Sequence, residues 1–408
     1  MKDFEKKARA HALKNAIAHD GKAISGSVIS GLFAEGLKPE DMKVYGKEIN
    51  KIVSEINKLS SEEQKKEFEK LEKSISEREV RDGLPELPDV PKKGVVMRIA
   101  PSPSGPLHVM HGIILALNYD YVMKYGGKMI IRIEDTNPEN IDAVAYKMIP
   151  DEAKWLTKGK CKIFIQSDRM KLYYKCAENL IKKEFAYVCT CSSEKFKEFS
   201  ELKENCPCRN NEKKENLMRW EKMFKGYKEG DAVLRFKTPE KYQGMKNSNP
   251  AMRDFPLARI NDKKHPRVGK KYRVWPLMNL AVSVDDMEMK ITHLIRGKDH
   301  KDNAKRQEMI FEVFNKKYPW SAFLGRYNFT DMEISCSKTK EKIKAGKIKG
   351  WDDPRVPFIA SLRKKYKPEA FWKIAEHIGI SEVDKLIDKK DFFAVLDKFN
   401  KEAEDKKV

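Results

Sequence analysis

The sequence lacks any apolar run long enough to cross a bilayer as a helix. Its start, MKDFEKKARA, has no apolar stretch of the kind a secretory signal carries. Both absences predict a cytoplasmic protein with no membrane partner. Cysteine is scarce, 7 in 408 residues, and the count is odd. In an intracellular chain this argues against a disulfide scaffold and for free thiols or a metal site. Acidic residues fall short of basic ones, 62 against 83, which leaves a net charge of +21. That excess favours a polyanionic partner, because phosphate contacts release counterions. The length allows roughly two to four domains with ample core.

What is present is organised around residues 95–138, VVMRIAPSPSGPLHVMHGIILALNYDYVMKYGGKMIIRIEDTNP. The β-branched run 95–100 predicts a buried strand, and the Pro- and Ser-rich residues 101–106 a turn. A helix is expected from His108, closed by Gly126-Gly127, and a second strand over 128–133. A strand–helix–strand unit of this kind requires a parallel sheet, so the fold class is α/β. Ligands of such sheets sit beyond the carboxyl ends of the strands. His108 and His111 lie three apart at a helix start, on one face, where phosphate is attracted. Spacing alone also allows an ordinary first turn with two surface histidines.

Residues 1–92 read as hydrophilic and helical. Helical spacing runs over 8–18, a small-residue segment covers 21–36, and an amphipathic pattern covers 44–76. Ser61-Glu62-Glu63 carries a cap-like helix start, and Pro85, Pro88 and Pro91 mark a linker. Helices are expected over 139–156, 170–183, 277–284 and 303–318, and strands over 162–165, 232–237, 254–260 and 291–295. The last of these leads into Arg296-Gly297-Lys298-Asp299-His300. Further helical stretches are expected over 355–366, 368–379 and from 384, with a frayed charged tail from 401.

Two C-x-C pairs, Cys189 with Cys191 and Cys206 with Cys208, supply four thiolates. That is the number a closed, tetrahedral, structural Zn²⁺ needs; four free thiols is the alternative. Arg253, Arg259, Lys263, Lys264 and Arg267 form a basic edge that suits an RNA backbone or plain solvent.

PSPSGPLHVMHG resembles the HIGH signature of class I aminoacyl-tRNA synthetases, and RIAPSPSG with RIEDTNP resembles their glutamyl/glutaminyl branch. Ser335-Cys336-Ser337-Lys338-Thr339 is similar to the KMSKS loop, and Gly350-Trp351-Asp352-Asp353-Pro354-Arg355 to enzymes of the archaeal/eukaryotic type. The resemblance covers residues 15–385. It implies a Rossmann-type parallel-sheet catalytic domain in two halves, 93–187 and 275–335. A zinc-containing acceptor-arm insertion, 188–274, would lie between them. The N-terminal helical domain would be 1–92, the KMSKS-like loop and stem-contact helices 336–390, and a charged tail 391–408.

The implied activity is ATP-dependent activation of glutamate, with Mg²⁺ carried by ATP, and transfer to the terminal adenosine of tRNA. The resemblance assigns catalysis to His108, His111 and Lys338. It assigns ATP binding to those three with Pro101, Gly297 and Ser337, and glutamate binding to Arg98, Ser102, Glu134 and Arg296. Glu134 would hold the α-ammonium, while Arg98 and Arg296 would pair with the side-chain carboxylate; the residues alone favour a strand-edge salt bridge at Arg98 and a Glu134–Arg132 pair. An Arg fork matches a carboxylate bidentately, and glutamine has no charge to pair. Arg296 therefore favours glutamate over glutamine. Two departures, Met110 where the family has Gly and Ser335 where it has Lys, predict weaker ATP binding.

A glutaminyl-tRNA synthetase, a truncated paralogue that glutamylates a modified tRNA base, and a non-catalytic tRNA-binding module are the competing readings. Nothing after residue 380 alternates like the family's anticodon-binding barrels. That part is expected on a separate polypeptide, removed, or absent. Whether tRNA for glutamine is charged besides tRNA for glutamate is left open.

Overall fold

The chain falls into two units, Met1–Asp82 and Gly83–Val408. The computed structural model describes residues 3–19, 21–75 and 83–405. The first unit is helical: α1 (Phe4–Ala18), α2 (Ser25–Ala34), α3 (Met42–Ile56) and α4 (Ser61–Leu71). Ile49, Ile52, Val53 and Ile56 lie at helical spacing and bury one face of α3. They share a core with Ala8, Ala12 and Leu13 of α1 and Val28 and Leu32 of α2. A reciprocal cap opens α4: the Glu63 N–H donates to Ser60 Oγ at 3.3 Å, and the Ser60 N–H donates to the Glu63 carboxylate at 2.8 Å.

The second unit begins with β1 (Val95–Ile99), α5 (Val109–Tyr125), β2 (Gly127–Ile133), α6 (Ala145–Leu156), β3 (Lys162–Ile165) and α7 (Met170–Lys182). β2 lies between β1 and β3, parallel to both. Gly127 is required where β2 starts. Its φ is +130°, and a Cβ there would stand 1.9 Å from the Val95 carbonyl oxygen. The α5 helix is largely apolar and packs against the sheet and later helices, with Met123 and Lys124 exposed near its end.

An antiparallel sheet follows, in the order β4 (Ala186–Cys189), β5 (Val233–Phe236), β6 (Pro256–Ile260), β7 (Val274–Pro276). Helices α8 (Ser193–Leu202) and α9 (Lys213–Lys225) fall between β4 and β5. The chain then returns to parallel pairing through α10 (Met278–Glu288), β8 (His293–Gly297), α11 (Lys301–Val313) and β9 (Trp320–Leu324). The Thr292 N–H donates to the Val96 carbonyl at 3.0 Å and joins β8 to the free edge of β1. The resulting strand order is β3-β2-β1-β8-β9. Its direction of winding changes between β1 and β8, where such sheets bind ligands.

The remainder is β10 (Tyr327–Phe329), α12 (Cys336–Lys344), α13 (Ile359–Leu362), α14 (Pro368–Ile378), β11 (Lys385–Ile387) and α15 (Lys389–Asp405). β11 runs parallel to β10.

Several expected elements differ. The helix expected over 139–156 starts only at Ala145. Upstream, the Asp142 N–H is taken by the Pro103 carbonyl at 2.7 Å and the Val144 N–H by the Asp142 carboxylate at 3.2 Å. The helix expected over 303–318 stops at Val313, because Asn315 takes φ +53°. Within 355–366 only Ile359–Leu362 is α-helical. The stretch before it is extended and bridges to the His108 segment. The helical stretch expected from 384 opens with the strand β11. The expected frayed tail is helical to Asp405. Among the described residues no helix is long and apolar enough to cross a membrane.

Candidate active site

β1 ends at Ile99, and the turn after it carries Pro101 and leads to His108, the N-cap of α5. Two backbone bonds clamp this segment: Val109 N–H to the Pro357 carbonyl and Ile359 N–H to the Leu107 carbonyl, both at 2.8 Å. A third comes from α6, where the Glu152 carboxylate accepts the Leu107 N–H at 2.7 Å. Glu152 is fully buried. Burial pushes its carboxyl up to about 8, against the pull of the Leu107 amide.

The His108 and His111 rings stack, with centroids 3.6 Å apart. His108 Nδ1 accepts the His111 backbone N–H at 3.2 Å, which leaves Nε2 to carry the ring proton. Burial lowers the His111 pKa to about 4. Burial, with His111 beside it, also lowers that of His108. Both rings are therefore neutral donors at physiological pH. Two amides of the helix start, those of Val109 and His111, are already bonded, so an anion here meets side chains and the helix dipole.

A cavity of about 230 Å³ opens at the carboxyl ends of β1 and β8. It brings together seven of the expected residues: Arg98, Pro101, His108, His111, Glu134, Arg296 and Gly297. A neighbouring cavity of about 460 Å³ shares His108, Ile114, Gly297 and Asp299 with it and is lined further by Met110, Arg326, Met332 and Ile334. Ser102, Ser337 and Lys338 line neither cavity. Lys338 lies in the first turn of α12, which Ser335 caps, and not on an open loop. Its exposed ammonium pairs with Glu333, which also takes Lys342 at 3.2 Å. A local Ser335 cap explains the helix, since the Ser hydroxyl accepts the Lys338 N–H at 3.4 Å.

Below the cavity lies a buried charge network. Arg98 binds Asp286 with two bonds, at 3.1 and 2.8 Å. Arg132, wholly buried, reaches Asp286 at 2.6 Å, Glu134 at 3.2 Å and Asp285 at 3.5 Å. Arg169 takes Asp285 at 2.6 Å. Burial would raise the Asp286 pKa, but the two guanidiniums hold it at about 2. Glu134 is pushed up by burial, with Arg132 and Arg98 pulling the other way. Three arginines thus face three carboxylates.

Arg296 stands outside this balance. It is 8% exposed, and its contacts are neutral: Gln307 Oε1 at 3.1 and 3.2 Å and the Tyr318 hydroxyl at 2.7 Å. Its Nε is buried without an acceptor. Among the described residues no carboxylate lies within ion-pair distance of it, and Asp286 and Glu134 act on it only from further off, so the cavity beside it favours an anion. Sequence reading missed Asp285, Asp286, Gln307 and Tyr318, and named Arg132 only as a pairing partner of Glu134, which it is, at 3.2 Å. The available signal was Asp285-Asp286 inside an apolar helix, since buried carboxylates need cations.

The four expected cysteines lie at one end of the antiparallel sheet. Cys189 and Cys206 sulfurs are 3.9 Å apart, as are those of Cys191 and Cys208. Cys189, Cys191 and Cys208 sulfurs all lie within 4.8 Å of one another. A tetrahedral site with Zn–S near 2.3 Å has sulfurs about 3.8 Å apart; the spacing of Cys189, Cys191 and Cys208 fits such a site, and Cys206 stands outside that group, beside Cys189.

The expected basic edge divides. Arg253 is buried, and its guanidinium donates to the carbonyls of Asn247 at 2.7 Å and Ser200 at 2.6 Å, so it closes a loop and faces no partner. Arg259, Lys263 and Arg267 pair with Glu139 at 3.7 and 3.4 Å and Asp168 at 2.7 Å. Lys264 is exposed. Buried His265 contacts the carbonyl of Asp135, next to Glu134, at 2.9 Å, and ties the insertion to the site.

Residues 94–401 match the family model of class I tRNA synthetases (E and Q), catalytic domain. A glutamate–tRNA ligase of Methanobrevibacter smithii is 39% identical over 402 residues, covering 97% of this chain and 71% of that protein. A glutamate–tRNA ligase of Methanocaldococcus jannaschii is 40% identical over 408 residues, covering 99% and 71%. The crystal structure of a glutamate-tRNA synthetase from Elizabethkingia anophelis aligns with a TM-score of 0.50 at 21% identity, over 76% of this chain and 70% of that one, a likeness of fold alone.

Proposed function

The chain belongs to the class I tRNA synthetases of the E and Q branch, and from that premise we propose that it is a glutamate–tRNA ligase. The observation that carries the choice of amino acid is Arg296, a buried cation with neutral neighbours at the end of β8. A glutamate side chain supplies the missing negative charge, while glutamine leaves the guanidinium uncompensated. Arg98 is already paired with Asp286, so Arg296 is the side-chain anchor and Arg98 lines the pocket beside it. Glu134 faces the cavity and takes the α-ammonium, whose charge would draw its pKa down.

In the first step the α-carboxylate of glutamate attacks the α-phosphorus of ATP, and pyrophosphate leaves with the bridging oxygen. His108 and His111 donate neutral N–H groups where charge gathers on phosphate. Lys338, on α12, brings a cation once it parts from Glu333, so closure of the loop before α12 belongs to this reading. Mg²⁺ would accompany ATP, where it would supply neutralising charge for the phosphates. In the second step the 2′-hydroxyl of the terminal adenosine attacks the acyl carbonyl and AMP leaves. Pro101, Gly297 and Ser337 complete the nucleotide site, and Ser102 stands at the glutamate side. Met110, lining the larger cavity, narrows it and weakens ATP binding.

Cys189, Cys191, Cys206 and Cys208 would hold a structural Zn²⁺, which supplies cross-linking and no chemistry. The partner is tRNA for glutamate, a polyanion suited to the +21 charge. The location is cytoplasmic. The domain plan follows the family pattern: extension 1–92, catalytic halves 93–187 and 275–335, insertion 188–274, stem-contact segment 336–390 and tail 391–408.

The test is attachment of labelled glutamate to tRNA for glutamate and tRNA for glutamine, each alone, by the full chain. Glutamate attachment to either supports the reading. No attachment to either, with or without an added anticodon-domain chain, overturns it.

A further inference from the structure

We infer that Gln307 sets the choice of glutamate over glutamine by holding Arg296 in place without neutralising it. This rests on the reading of Arg296 as partner of the substrate side chain. Gln307 is wholly buried on α11. Its Oε1 accepts both terminal nitrogens of Arg296, at 3.1 and 3.2 Å, and the Tyr318 hydroxyl at 2.9 Å. Its Nε2 donates to Asn279 Oδ1 at 3.3 Å, which fixes which end of the amide meets the guanidinium. The Tyr318 hydroxyl accepts from Arg296 at 2.7 Å and donates its O–H to Gln307 Oε1.

The guanidinium is thus oriented by neutral groups on one side and keeps its full charge for the cavity. The other arginines around the site are each matched to a carboxylate. Glutamate has the shape of glutamine. At position 307 it would accept the bonds from Arg296 and Tyr318, meet the Asn279 amide turned to donate instead of accept, pair bidentately with Arg296 and cancel the charge that a substrate carboxylate needs. One oxygen-for-nitrogen change therefore separates charge from packing. Gln307 acts through Arg296 and is a positioning residue.

The test uses the full chain and initial rates of amino-acid attachment to tRNA. Gln307→Glu is expected to raise the KM for glutamate more than tenfold, with the KM for ATP within twofold of wild type. The ratio of kcat/KM for glutamate to that for glutamine is expected to fall at least tenfold. A merely structural role would move both KM values together and leave the ratio unchanged. Tyr318→Phe keeps the ring on Phe311, whose centroid is 5.1 Å away, and removes the hydroxyl from Arg296. It is expected to raise the glutamate KM at least threefold with the ATP KM unchanged, and it carries the test if Gln307→Glu does not fold. A wild type that charges glutamate, beside a Gln307→Glu variant whose glutamate KM stays within twofold, overturns the inference alone. A wild type that attaches no glutamate overturns the reading of the site, and this inference with it.

Discussion

Replacing Glu152 by glutamine removes one titratable proton from behind the His108 segment and keeps the side-chain shape. The folded pKa of Glu152, about 8, stands above its ordinary value of 4.5. Between those values the folded protein holds a proton that the unfolded chain has released. Stability from this group is therefore complete below pH 4.5 and falls as the pH rises towards 8. Each pH unit in that window is worth about 1.4 kcal/mol, and the slope halves near the folded pKa. From pH 6 to pH 8 the wild type should lose about 2 kcal/mol that Glu152→Gln keeps. The amide oxygen of glutamine still accepts the Leu107 N–H. At about 2–4 °C per kcal/mol, the variant's lead in Tm should grow by about 4–8 °C between pH 6 and pH 8. Near-UV circular dichroism melts of both proteins at the two pH values measure it. A Tm difference that does not change with pH would show that Glu152 ionises normally in the fold, and would refute the account of its burial.

Arg296→Ala should lower glutamate attachment more than tenfold, read as kcat/KM in the tRNA-charging assay, since the substrate carboxylate loses its cation. Lys338→Ala should lower the rate at least tenfold while Tm moves by no more than about 1 °C, because the side chain is exposed. Elemental analysis of purified protein should find one zinc per chain, and Cys208→Ser should lose it. His108 and His111, whose pKa values burial lowers, should stay neutral down to about pH 5 in a nitrogen-15 NMR titration. Their folded pKa lies below the unfolded one, so the stability they contribute is present above pH 6.5 and lost as the pH falls towards 4. Gly127→Ala should destabilise the chain by several kcal/mol, because a Cβ would overlap the Val95 carbonyl; a Tm within 2 °C of wild type would contradict this.

By itself the sequence determined the parallel unit around His108. The apolar run of β1, the turn residues after it and the Gly126-Gly127 stop are local signals, and local signals act over a few residues. The strand that ends at Arg296-Gly297 and the paired cysteines were legible for the same reason: each is a short pattern with one chemical meaning. Only the tertiary structure decided which arginine is free. Arg98, Arg132 and Arg296 look alike along the chain, and their difference lies in partners 154 to 188 residues away for the first two and in the neutral Gln307 and Tyr318 for the third. Charge balance in a buried network is a sum over distant groups, and no local pattern encodes that sum. The same holds for Glu152, whose proton depends on being enclosed between α6 and the Leu107 segment. Lys338 shows the converse, where a single Ser335 cap turned an expected loop into the start of a helix.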